Sequence, residues 1–314
     1  MGTIVDISRT AQRAAFSRRF APGLLRPFTG LTLSVRIGEI AQTALSRWPI
    51  PPQAAKPMSK FRYLVACDRT HWLMLRECLF SLHRSWNSLP EVFVVTDGSW
   101  EPDEFAAVFA WWPASITVLT RIEICRAASA AGFPELADYA RESLYGLKLA
   151  ALVTQAREQP VLSVDADILW FRDPTSLLGD PVSWNKPRAL RERNCRQRRE
   201  IALRYCAQAL EPPFVNSGIV ALQGELIESG LLRAMVKHAL PFPQDGSCEQ
   251  TIVASAVKLG GELFPEKLSL VAIDDTYRPF IRNAKHEGYY SRHYVLPARQ
   301  LIYRDALKLR FSAG

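Results

Sequence analysis

From Phe61 onward, short apolar runs alternate with segments of helical spacing. That order constrains the fold more than any other feature of the chain. Phe61–Ala66 reads as a strand, and Leu75, Cys78, Leu79 and Leu82 then fall on one helical face. Glu91–Thr96 is a second strand, Pro102–Ala110 a short helix and Ile116–Thr120 a third strand. Glu135–Gln155 reads as a longer helix and Val161–Val164 as a fourth strand. Such alternation predicts an α/β chain with a Rossmann-like mixed, mostly parallel sheet and helices on both faces. Further on, Phe214–Leu222 and Leu268–Ile273 read as strands, and Glu225–His238 and Ser247–Lys258 as helices. The arginine-rich run 188–199 reads as a solvated helix. There are no internal repeats.

Ligands of open α/β sheets collect beyond the carboxyl ends of the strands. Asp68, Asp97 and Asp165 each follow a predicted strand and gather on that edge. For Asp68 and Asp97 a turn or a helix N-cap is the simpler role, and contact with a bound nucleotide is the alternative. Asp165 differs, because it stands in Val161-Leu-Ser-Val-Asp-Ala-Asp-Ile-Leu-Trp-Phe171 with Asp167 two residues on. A buried strand does not carry two carboxylates uncompensated, since each anion loses its hydration. A strand-end crevice with a shared divalent cation resolves the conflict, and hard oxygen ligands suit Mg²⁺ or Mn²⁺. With 13 Asp in the chain, an Asp-x-Asp tripeptide alone is weak evidence, and a loop with two solvated carboxylates is the alternative.

The net charge of +8 is unevenly placed. Residues 1–60 hold nine Lys/Arg and two acids, and Lys186 to Arg204 holds eight basic residues and two acids. The remainder is slightly acidic, so no uniform basic surface for nucleic acid is expected. Six cysteines at 67, 78, 125, 195, 206 and 248 include no Cys-x-x-Cys pair, and Cys67, Cys78 and Cys125 read as core thiols. Neither a transmembrane run nor a signal peptide is evident, so the expected location is cytoplasmic, with peripheral membrane association as an addition.

That addition comes from residues 1–58, expected to form a basic amphipathic arm before a catalytic domain at 59–314. Arg9, Arg13, Arg18, Arg19 and Arg26 interleave with Phe16, Phe20, Leu24, Leu25 and Phe28. Leu31 to Trp48 reads as an amphipathic helix, stopped by Pro49-Ile-Pro-Pro52. Basic residues suit anionic lipid, and Phe, Leu and Trp suit insertion. An arm packed on the body, or a targeting leader, would show the same pattern.

The chain lacks a Gly-x-Gly-x-x-Gly after its first strand, a Gly-x-x-x-x-Gly-Lys loop and a Gly-x-Ser-x-Gly elbow. Five other segments occur in order: Tyr145-Gly-Leu-Lys148, Val164-Asp-Ala-Asp167, Phe214-Val-Asn-Ser-Gly218, Glu249-Gln250 and His293-Tyr294. Together they resemble the GT-A glycosyltransferases, especially the glycogenin and bacterial galactosyltransferase group. The likeness spans about Phe61 to Tyr303. It implies a GT-A fold, a nucleotide-diphosphate sugar donor such as a UDP-sugar, and Mn²⁺ or Mg²⁺ held by Asp165, Asp167 and His293. It further implies donor contacts from Lys148 and Asn216, and catalytic positions at Glu249 and Gln250. Two departures stand out: Glu249 replaces the family's usual Asp, and its Gly and Lys-Pro-Trp after the histidine are missing. Arg299 is the candidate to supply the phosphate contact instead. The acceptor would be a saccharide, a lipid-linked group or a protein, and retention of anomeric configuration is suggested.

The chemistry fits these residue types. Cleaving a sugar–diphosphate bond leaves negative charge on phosphate, which a divalent Lewis acid and nearby cations stabilise. Asn216 and Gln250 suit sugar hydroxyls, and Glu249 suits orientation or proton transfer. The alternatives are a metal-dependent nucleotidyltransferase or nuclease, and a non-catalytic membrane- or partner-binding scaffold. Ala66-Cys-Asp-Arg-Thr70 has no glycine, unlike the Gly-rich loop expected of the nucleotidyltransferase.

Overall fold

The computed structural model describes residues 28–271, 288–295 and 298–311. The Arg/Phe alternation before Phe28, and the end of the strand expected at Leu268–Ile273, lie outside them.

The strands are β1 (Met58–Ala66), β2 (Leu89–Thr96), β3 (Ile116–Thr120), β4 (Val161–Asp165), β5 (Ile168–Trp170), β6 (Arg188–Glu192), β7 (Phe214–Leu222), β8 (Glu262–Leu263), β9 (Ser269–Val271) and β10 (Ser291–His293). The helices are α1 (Phe28–Arg47), α2 (Trp72–Ser85), α3 (Pro102–Phe109), α4 (Arg121–Ala130), α5 (Pro134–Glu142), α6 (Leu144–Gln155), α7 (Thr175–Leu178), α8 (Arg199–Tyr205), α9 (Ser229–Ala239), α10 (Gly246–Gly260) and α11 (Leu301–Phe311). A seven-stranded sheet runs β3-β2-β1-β4-β7-β6-β8, and a three-stranded sheet runs β5-β10-β9. In the larger sheet only β7 is antiparallel to its neighbours. This is the mixed, mostly parallel sheet of a GT-A fold.

Alternation along the strands feeds a core on each face. Leu64, Phe93, Val95, Val161, Val220 and Leu222 pack with residues of α4, α5, α6, α9 and α10. Tyr63, Val65, Val92, Val94, Leu162, Val164 and Ile219 pack with α2 and α3. A third cluster joins Ala41 and Leu45 of α1 to Leu73, Met74, Leu169, Tyr294 and the apolar face of α11. There Gly38 lets α1 approach the backbone of Gln300 more closely than any Cβ would allow. Cys67, Cys78 and Cys125 are buried, as are Cys206 and Cys248, and Cys195 is exposed.

Several expected boundaries move for local reasons. The helix read at Glu135–Gln155 is two, because Ser143 is extended (φ −152°, ψ 157°) and caps α6 through Gly146 N–H. Gly146 then lies against the Tyr139 backbone, where a Cβ has no room. Helix α4, which the apolar spacing does not predict, is opened by a capping box of Thr120 and Glu123. The helix read from Glu225 begins at Ser229, since Glu228 accepts from Gly230 and Leu231 N–H at 2.7 Å each. The run 188–199 is not a solvated helix. Its first residues form β6, with Ala189 and Leu190 in the core, and only Arg199 opens a helix. Among the described residues, no helix is long and apolar enough to cross a membrane.

Candidate metal and donor site

The order β2-β1-β4 reverses direction between β1 and β4. That is the switch point at which open α/β sheets form a ligand crevice. Ala66 at the end of β1 pairs with Asp165 at the end of β4. The chain then turns through Ala166 and Asp167 into β5. Strand β10 pairs antiparallel with β5 and sets His293 opposite Ile168, next to Asp167. Tyr294 N–H continues the ladder by donating to Asp167 O at 2.9 Å. Backbone pairing thus brings together residues more than a hundred positions apart.

His293 Nε2 lies 3.4 Å from Asp165 Oδ2 and 3.2 Å from Asp167 Oδ1. One ligating atom from each of Asp165, Asp167 and His293 falls within 4.8 Å of the others. Two carboxylates and an imidazole suit a hard-to-borderline divalent cation. Asp167 Oδ1 is buried and has no hydrogen-bond partner of good geometry, so the three residues fit a cation on an orphaned oxygen as well as on donor chemistry. Gly218 is required beside them, since a Cβ there would overlap the His293 ring.

Lys148 projects from α6 and is 7% exposed. Its Nζ donates to Asp165 Oδ1 at 2.6 Å and to Ser217 O at 2.9 Å, and lies 3.4 Å from Glu249 Oε1. Burial alone would depress its pKa, but Asp165 and Glu249 outweigh burial and hold it above its ordinary value. Burial would likewise raise Asp165, yet Lys148 and His293 hold that carboxyl below the usual range. Burial does raise Glu249, with Lys148 opposing. His293 is pushed up to about 9, because the two aspartates overcome the effect of burial. In the absence of a cation it is therefore an imidazolium at neutral pH.

Glu249 and Gln250 stand in the first turn of α10, whose N-cap Asp245 accepts from Ser247 N–H at 2.9 Å. Glu249 Oε2 accepts from Ser217 Oγ at 2.7 Å. The Gln250 amide nitrogen is buried with no partner. Asn216 joins His293 through Oδ1 at 3.1 Å. Arg299 Nε donates to Asp167 Oδ2 at 3.2 Å. Lys148, Asp165, Asp167, Asn216, Glu249, His293 and Arg299 thus form one connected cluster.

Asp68 and Asp97 stand apart from it. They lie on the same edge but make no hydrogen bond or ion pair with the cluster. Asp68 caps the turn Arg69–His71, accepting from His71 N–H at 3.0 Å and pairing with its Nδ1 at 2.8 Å. Burial would raise Asp68, but its bonds to His71 and Thr70 bring it down to about 2. Asp97 accepts from Ser99 N–H at 3.0 Å in a local turn. Ser217 and Glu192, which support Glu249 and Asn216, were not singled out from the sequence. The alternation of Leu190 and Glu192 along β6 is the signal that would have shown Glu192 facing inward.

No protein-family model matches the chain, and no curated protein matches it in sequence. Solved structures do match in shape. Mouse xyloside xylosyltransferase 1 in its apo form is 12% identical, with a TM-score of 0.51 over 75% of this chain and 97% of that one. An active-site mutant of LgtC is 13% identical, with a TM-score of 0.50 over 80% of this chain and 95% of that one. At such identities the likeness shows a shared GT-A fold.

Proposed function

We propose that the protein is a glycosyltransferase that takes a sugar from a nucleotide-diphosphate donor, specifically a UDP-sugar, with Mn²⁺ or Mg²⁺ at Asp165, Asp167 and His293. The observation that carries this reading is the convergence of those three side chains at the sheet's switch point, where Asp167 Oδ1 is buried and faces only His293 Nε2, without hydrogen-bond geometry. Solved structures of like fold include a xylosyltransferase, which supports sugar transfer. When bound, the cation supplies Lewis-acid stabilisation to the diphosphate leaving group.

The chain's own residues divide the remaining work. Lys148 favours the carboxylate form of Asp165, opposes the rise that burial imposes on Glu249, and adds positive charge near the phosphates. Arg299, one-third exposed beside Asp167, offers a guanidinium suited to phosphate. Gln250 presents a free amide N–H to a sugar hydroxyl, and Glu249 orients the sugar or acceptor or moves its proton. Asn216 contacts the donor sugar from beside His293. A nucleoside extending along the edge would meet Asp68 and then Asp97. The resemblance to retaining enzymes suggests retention. Residues 1–58 serve as a peripheral membrane contact, supported by exposed Ile40 and Trp48 alongside exposed Arg36 and Arg47.

A thermal-shift screen of nucleotide sugars, with and without Mn²⁺, tests the assignment. A shift given by a UDP-sugar only when Mn²⁺ is present is the expected result. A shift with nucleoside triphosphates and none with nucleotide sugars would replace it with nucleotidyl transfer.

A further inference from the structure

Asn216 is held in one orientation by its surroundings. Its Oδ1 accepts from Gly218 N–H at 2.8 Å, so the amide oxygen must lie on that side. Its Nδ2 therefore points the other way and donates to Glu192 Oε2 at 3.2 Å. The same Oδ1 lies 3.1 Å from His293 Nδ1. An amide oxygen only accepts, so that contact requires a proton on Nδ1. Nε2 is then the ring atom aimed at Asp165 and Asp167.

Glu192 closes this chain of contacts. It is 3% exposed, stands opposite Phe214 in the β6–β7 ladder, and takes Arg193 N–H on its other oxygen at 3.0 Å. Among the described residues no lysine or arginine side chain pairs with it. A buried carboxylate with only neutral donors is costly to keep, and core packing at this strand position would be served by an apolar side chain such as neighbouring Leu190.

We propose, resting on the reading of Asp165, Asp167 and His293 as a cation site, that Glu192 is a positioning residue. It fixes the Asn216 amide, and through it the tautomer and ring orientation of His293, so that Nε2 is presented to the cation. Partners that orient a ligating histidine typically alter metal affinity by ~10–100-fold.

The test is a titration of the full-length protein with Mn²⁺ alone, followed by the EPR signal of free Mn²⁺. Imidazole ¹⁵N shifts of His293, assigned by its loss in His293→Gln, are read in parallel with Mg²⁺. Glu192→Gln is expected to weaken Mn²⁺ by ~10–100-fold and to change the His293 tautomer signals. Asn216→Asp is expected to weaken it as well, because two carboxylates would then face each other. The double variant is expected to recover wild-type affinity to within about threefold, since an amide at 192 would donate to a carboxylate at 216. If Glu192→Gln does not fold, the double variant is compared with Asn216→Asp and should bind ~10-fold tighter. Wild-type affinity in Glu192→Gln, with binding lost in Asp167→Asn, would overturn the role of Glu192 alone. A double variant no better than its parents would do the same. Unchanged binding in Asp167→Asn would overturn the cation site as well.

Discussion

Two buried clusters of charge in this protein are finished differently. In the first, Glu77 on α2 is fully buried and takes Arg310 Nη2 at 2.6 Å, Arg310 Nε at 3.0 Å and Arg76 Nε at 3.1 Å. The spare N–H groups of the two arginines reach Leu45 O and Trp48 O, at the C-terminal end of α1. Both carboxylate oxygens are used, and the cluster ties α1, α2 and α11 together. In the second, Asp165, Asp167 and Glu249 share Lys148, His293 and the one-third-exposed Arg299, Asp167 Oδ1 meets His293 Nε2 at 3.2 Å without hydrogen-bond geometry, and Gln250 Nε2 has no hydrogen-bond partner. Burial of charge therefore does not by itself mark a site. An acidic cluster at a strand-end crevice whose polar atoms are only partly satisfied is the better candidate for one.

Four experiments would break or sharpen this contrast. Asp167→Asn strikes the open cluster where its cation would sit. Turnover of a UDP-sugar should fall by about 10³-fold, the loss of several kcal/mol of charge stabilisation. Unfolding stability should fall by about 1–3 kcal/mol, less than in the closed cluster, because Asp167 faces His293 and the one-third-exposed Arg299 at 3.2 Å each. A large stability loss with intact turnover would reverse the roles of the two clusters.

Glu77→Ala strikes the closed cluster and leaves two buried guanidiniums unpaired. Urea unfolding should show a loss of about 3–5 kcal/mol, with Mn²⁺ affinity unchanged in the folded protein. Reduced Mn²⁺ affinity at full folding would show that the clusters are coupled.

The clusters should also differ in pH dependence. The pKa of His293 is raised to about 9 in the cation-free protein, so its contribution to stability is full below the unfolded value of ~6.5 and is lost as pH rises through about 9. Stability measured in EDTA should therefore decline by up to about 3 kcal/mol across that window. His293→Gln should flatten the decline. A flat wild-type profile would contradict a buried imidazolium held by two aspartates.

The smallest effect concerns the N-terminal segment. Deleting residues 1–27 should weaken binding to anionic vesicles and leave Mn²⁺ and UDP binding intact. Deleting through residue 47 should also destabilise the protein, since Leu45 is fully buried and truncating such a leucine costs about 2–5 kcal/mol. Vesicle binding that survives the shorter deletion and ignores salt would remove the membrane role.

The parallel half of the sheet was legible in the sequence because each strand and its helix carry their own periodicity. Ile116–Thr120 and Phe214–Leu222 were read to the residue. Strands β5 and β10 are only three residues each, too short for any period, whereas β9, equally short, falls within the apolar run read as a strand at Leu268–Ile273; the small sheet exists because β10 inserts between partners distant in sequence. For the same reason His293 was placed by resemblance, whereas Asp165 and Asp167 were also marked by the strand they end. Ser217 and Glu192 were missed because a support residue is defined by what it touches. Asp68 and Asp97 stand at the ends of β1 and β2, as expected, and their carboxylates are taken up by their own turns.

The central claim is that the open cluster is a divalent-cation site built to hold a nucleotide diphosphate. Mn²⁺ titration by EPR, with and without UDP, tests it most directly. One Mn²⁺ per chain is expected, bound at least ~10-fold more tightly with UDP present, with UDP affinity raised by the same factor. Binding that ignores UDP, or that persists when Asp165 and Asp167 are both changed to Asn, would contradict it.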